Sequence, residues 1–107
     1  MTSARLILTT AGSRDESSKI ASAMVESHLA ACVNLVGPIE SHYWWNERIE
    51  NASEYLLLIK TTAELVGRVR EKIHELHSYE LPEFLVLNIE SGDAKYLDWM
   101  VGSTRMR

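Results

Sequence analysis

Apolar residues change their spacing repeatedly along this chain, and each change marks an expected element boundary. Residues 5–10 are a short apolar run closed by Ala11-Gly12, and Ser13 followed by Glu16 has the form of a capping box. That predicts a strand and then the start of a helix. Ile20, Ala21, Met24, Val25, His28 and Leu29 recur at three- and four-residue spacing, which carries the helix to about Ala30. From Ala31 the period becomes two, with Cys32, Asn34 and Val36 alternating with Val33 and Leu35 as far as Gly37-Pro38, where a bend or bulge is expected. The strand resumes over 39–45, turns around Asn46-Glu47-Arg48, and returns from about Ile49 or Ala52 to Thr61 as a long hairpin.

Thr61 with Glu64 offers a second capping box, and Leu65, Val66, Val69, Ile73 and Leu76 form a helical stripe to about His77. A loop over 78–82, a dense apolar strand over 83–89 and a turn at Ser91-Gly92-Asp93 follow. The chain then ends in a short helix carrying Tyr96, Leu97, Trp99 and Met100. The predicted order is that of an α+β, ferredoxin-like (βαββαβ) sandwich with an extra C-terminal helix. Right-handed crossovers put its two long helices on one face of the sheet. Yet Leu6-Ile7-Leu8, Leu56-Leu57-Leu58-Ile59 and Leu85-Val86-Leu87 are apolar without interruption, so both sheet faces call for burial. Another subunit is the economical cover for the second face; the alternative is that the terminal helix folds beneath the sheet.

At 107 residues with no linker-like stretch, the chain is expected to be a single domain over 1–107. A hydrophobic fraction of 46% with 24% charged residues is that of an ordinary soluble globular protein. The net charge of −4 comes with scattered basic residues; only Arg68, Arg70 and Lys72 approach a cluster, and Glu64, Glu71 and Glu75 lie among them. Nucleic acid is therefore not an expected partner. The apolar run Leu6-Ile7-Leu8 is too short for a signal core or a membrane span, and Cys32 is the lone cysteine, so a cytoplasmic protein without disulfide or membrane association is expected.

Several segments carry a resemblance: Leu29-Ala30-Ala31-Cys32-Val33-Asn34, Ser41-His42-Tyr43-Trp44-Trp45, residues 54–61, His77-Ser78-Tyr79-Glu80-Leu81-Pro82-Glu83 and residues 92–99. In this order and spacing the chain resembles the divalent-cation tolerance family called CutA. The resemblance implies a ferredoxin-like fold, a homotrimer, a link to divalent-cation and especially copper tolerance, and similarity in shape to the signalling proteins called PII. One departure stands out: His77-Ser78-Tyr79 occupies the place where the family often has His-Pro-Tyr. The loop thereby loses the restraint that proline places on its own φ and on the residue before it.

Cys32, the lone thiol, suits a soft ion such as Cu(I), or else is a small buried apolar residue. His77, in the matched loop, is the second candidate metal ligand, while His74 suits the helix C-terminus and His28 and His42 read as structural. Lys60, Tyr79, Glu80 and Glu83 stand beside strand ends as candidates for a ligand-binding cleft, Lys60 for an anion and the carboxylates for a cation. Each also reads as an edge charge or a solvated loop. Tyr43, Trp44 and Trp45 put aromatics on both sides of a hairpin arm, a pattern suited to a subunit interface or to ordinary packing within the monomer. The leading functional expectation is a cytosolic homotrimer that binds copper or another divalent ion in metal tolerance. The alternatives are a PII-like sensor of a small ligand, with an anion considered, at an inter-subunit cleft, and a trimeric interaction scaffold. No nucleophile or metal cluster accompanies Glu80 and Glu83, so no enzymatic activity is expected.

Overall fold

In the computed structural model, which describes residues 2–105, alternate residues of strand β1 (Ala4–Ala11) meet different surroundings. Ile7, Thr9 and Ala11 are sealed, while Leu6, Leu8 and Thr10 between them are half-buried. Strand β3 (Arg48–Thr62) repeats the pattern, with Leu57, Ile59 and Thr61 sealed and Leu56, Leu58 and Lys60 half-buried. One face of the sheet is thus a finished core and the other is not. The finished face is covered by helices α1 (Arg14–Glu26) and α2 (Val66–Leu76), whose Ile20, Met24, Val69 and Ile73 complete the core cluster. Each such side chain contributes roughly 1.5–3 kcal/mol by leaving water.

With strands β2 (Cys32–Trp45) and β4 (Leu85–Asn88) the sheet is antiparallel in the order β2-β3-β1-β4, the ferredoxin-like arrangement. Helix α3 (Ala94–Ser103) follows. It lies on the second face: Lys60, which points there, approaches Tyr96 Oη at 3.4 Å, and Met100 is buried apart from the main core. His28 Nδ1 donates to the Ser103 carbonyl at 3.0 Å and pins the helix end. The terminal helix therefore does fold beneath the sheet, but covers only part of it. Leu85, Leu87 and Val36, on the same face by register, remain exposed.

Several boundaries differ from the sequence expectation for local reasons. Helix α1 stops at Glu26 rather than near Ala30, because His28 takes a left-handed φ of 61° and Leu29 and Ala30 both donate back to the Met24 carbonyl. Leu29 and Ala30 still enter the core, so the helical stripe is completed by a turn. The Ser13 capping box is half formed: Ser13 Oγ accepts the Glu16 N–H, but the Glu16 side chain goes elsewhere. The second capping box does not form, since Thr61 Oγ1 donates to the Leu29 carbonyl at 2.6 Å and the chain enters α2 through one 3-10 turn, Ala63–Leu65. Strand β4 is shorter than expected, pairing with β1 only from Leu85 to Asn88, with Phe84 packed against the core just before it. The ends of the expected 1–107 domain, Met1, Met106 and Arg107, lie outside the described residues.

The hairpin is the fold's most extended part. Strand β1 pairs with β3 only as far as Tyr55, so beyond it β2 and β3 continue as a two-stranded arm. Gly37-Pro38 shifts the register between Val36 and Ile39, as expected of a bulge. A side chain at Gly37 would stand 2.5 Å from the Tyr55 ring. Asn46 and Glu47, both at positive φ, make the two-residue turn that joins Trp45 to Arg48.

Candidate functional site

Where the arm leaves the sheet, the loop after α2 closes against it. His77 sits at the end of α2 with its side chain fully buried; Nε2 donates to the Thr10 carbonyl at 2.6 Å and Nδ1 receives the Tyr79 N–H at 3.0 Å. The Glu16 carboxylate also lies 3.4 Å from Nδ1. Ser78 donates twice to Glu16, from its N–H at 2.7 Å and its Oγ at 2.9 Å. Proline could make neither bond, so the departure from His-Pro-Tyr replaces a covalent restraint with two charge-assisted hydrogen bonds.

Held this way, Tyr79 reaches across the end of β1 and donates to Glu54 Oε2 at 2.8 Å. Gly12 leaves room for it, since a Cβ there would lie 3.1 Å from the Tyr79 hydroxyl. Burial, and then the bond to Glu54, hold that hydroxyl well above the usual phenol range. Burial and the nearby Glu54 carboxylate also push the Glu83 carboxyl above the usual carboxylate range. Between loop and arm lies a groove of about 710 Å³, lined by Glu54, Tyr79, Glu80 and Glu83 on one side and by Tyr43, Trp44 and Trp45 on the other.

The groove unites residues that the sequence reading assigned to separate roles. Tyr79, Glu80 and Glu83 line it as cleft candidates, and the aromatic triplet expected at an interface forms its wall. Lys60 does not belong to it. Lys60 pairs with Cys32 and with Leu6 in register, four residues along β1 from Thr10, or roughly 13 Å at the usual strand rise. Cys32 lies level with Leu6, two strands away, whereas His77 is bonded to Thr10 toward the other end of β1, so the fold does not bring these two expected metal ligands of one chain together. Both ring nitrogens of His77 are also taken. Among the described residues, no group of three or more His, Cys, Asp or Glu side chains is placed to hold a metal ion. Cys32 is half-buried, with only a 3.7 Å contact from its thiol to Asn34. His74 is exposed in the last turn of α2, and His42 contacts Glu40 across the arm's surface.

Glu54 is the site residue that sequence reasoning missed. Its signal was parity: it shares the alternation of Leu56 and Leu58, so a carboxylate stands at a position whose neighbours point to a half-buried face. Without a lysine or arginine in its lining, the groove does not suit the anionic ligand considered from the sequence.

These features describe a ferredoxin-like protein with a protruding hairpin and an acidic, aromatic-walled groove at its base. A family model described as CutA1 divalent ion tolerance protein matches residues 5–103, and the chain belongs to that family. It is 40% identical to the divalent-cation tolerance protein CutA of Archaeoglobus fulgidus over 88% of this chain and 91% of that one. It is also 40% identical to the chloroplastic CutA of Arabidopsis thaliana over 94% of this chain, but spans only 55% of that protein's length. The solved structure of the A. fulgidus protein, described as periplasmic, superposes with a TM-score of 0.93 at 37% identity, covering 95% of this chain and 99% of that one.

Proposed function

We propose that this chain is a single domain that works in the cytoplasm as a homotrimer in divalent-cation tolerance, binding copper or another divalent ion without a catalytic step. The observation that carries the reading is the family match over residues 5–103, together with relatives named for divalent-cation tolerance. The half-buried thiol of Cys32 supports it as the contact for a soft ion, since carboxylate and imidazole groups alone do not select Cu(I). Its companions then come from outside the His77 loop of the same chain. Titration of reduced wild-type and Cys32→Ser protein with Cu(I) against a competing chelator tests this. Weaker binding by the variant, with fold and assembly unchanged, is the expected result; equal affinities make Cys32 structural.

A second reading, a PII-like sensor of a small ligand, is favoured by the groove between arm and loop. Its volume falls within the ordinary range of small-molecule sites, and its polar groups converge on an apolar wall.

A further inference from the structure

We propose that the groove binds an organic cation, a ligand carrying a primary ammonium or guanidinium group, held by Glu54 and Glu83 against the rings of Tyr43 and Trp45. This deepens the small-ligand reading and rests on it. The first ground is charge. Glu54 is only 6% exposed, yet one hydrogen bond from Tyr79 is its sole partner given by the geometry, and no cation among the described residues forms an ion pair with it. Its second carboxylate oxygen has no protein partner among the described residues and is left to meet positive charge from the groove, and Glu83 stands beside it in the same lining.

The second ground is the wall. Ile39 pairs with Glu54, and Tyr43 and Trp45 follow Ile39 at even steps, so they face the same side of the arm as that carboxylate. Ring faces near a desolvated cation attract it, and this attraction is a known basis for recognising ammonium groups. The third ground is size and donor count. A hard divalent ion needs six or more oxygens at close range, whereas this groove offers few carboxylates spread over about 710 Å³. An amine or guanidinium meets the same charge through hydrogen bonds and uses the aromatic surface that a hydrated ion does not.

The probe is agmatine, which carries both groups, titrated calorimetrically into the whole protein at low salt, with 1-pentanol as the neutral control and MgCl2, CuCl2 and ATP in parallel. Saturable agmatine binding is expected, and pentanol should give none. Glu54→Gln, which can still accept the Tyr79 hydrogen bond, and Glu83→Gln should each weaken agmatine about tenfold or more, as loss of a charge-assisted contact implies. Tyr43→Leu should weaken it without changing the charge, and melting curves check that each variant is folded. Agmatine binding that is equal in wild type and all three variants overturns the proposal. Binding of a metal ion or ATP that depends on Glu54 and Glu83, with agmatine silent, overturns the organic cation but keeps the groove as a ligand site. Silence towards every probe overturns both.

Discussion

Glu83 carries a charge that the folded chain resists. Its carboxyl is raised above the ordinary carboxylate range by burial first and by Glu54 second. Between the unfolded and folded values the native state therefore holds a proton that the unfolded chain has released, and stability falls as pH rises through that window. Glu83→Gln removes the effect while keeping nearly the same shape. Thermal melts are expected to coincide for wild type and variant near about pH 4 and to favour the variant at neutral pH. Parallel curves across the range would show that Glu83 titrates as a free side chain. At this scale the sequence was a partial guide. It singled out Tyr79, Glu80 and Glu83, together with Lys60, because they are polar groups beside strand ends. It did not single out Glu54, since its role depends on the 2.8 Å bond from Tyr79, 25 residues away. That Cys32 and His77 of one chain lie toward opposite ends of the sheet was hidden for a related reason: helical and loop spacing does not say which end of β1 each residue will reach.

At the scale of elements the hairpin arm sets two faces apart. Tyr43 and Trp45 share the Glu54 side of the arm, whereas Trp44, which also borders the groove, pairs in register with Ile49 on the alternate side, and these two are 71% and 68% exposed. Two large apolar groups side by side on a projecting arm form the kind of patch that a partner covers. Trp44→Ala is expected to weaken subunit association by about 2 kcal/mol or more, the usual size for an aromatic anchor at an interface. The effect should appear as a higher dissociation constant in sedimentation equilibrium, with the arm's circular dichroism retained. An unchanged constant would assign Trp44 to solvent. The arm was visible in the sequence through the change of period after Ala31, the Gly37-Pro38 interruption and the turn at Asn46-Glu47-Arg48. The end of α1 was not, because the left-handed turn at His28 lets Leu29 and Ala30 fill core positions that a continuing helix would also have filled. Thr61 misled for a similar reason: a threonine three residues before a glutamate looks like a cap whether or not its hydroxyl is drawn to the Leu29 carbonyl.

For the whole molecule, the second face of the sheet is the feature that demands an explanation. Helix α3 covers the end near Lys60 and Met100, but Leu85 and Leu87 of the β4 edge and Val36 of β2 are left 43% to 54% exposed on one side. Strands β2 and β4 are also the two edges of the sheet, and the 14-residue β2 offers a long unpaired row of backbone donors and acceptors. A lone monomer with both features is prone to association, and a closed symmetric assembly buries them without leaving a growing end. If the assembly is the proposed homotrimer, light scattering on the native protein gives about 37 kDa, three times the 12.2 kDa chain. Leu85→Lys then places a charge inside that shared apolar face, where desolvation is costly, and should shift the mass toward the monomer. The core on the α1 and α2 side should survive the change, because Ile7, Leu57 and Ile59 face away from position 85. Melting temperatures that rise with protein concentration in the wild type, and no longer do so in Leu85→Lys, complete the test. A monomeric mass for the wild type at micromolar concentration would mean that α3 and solvent suffice to cover the second face.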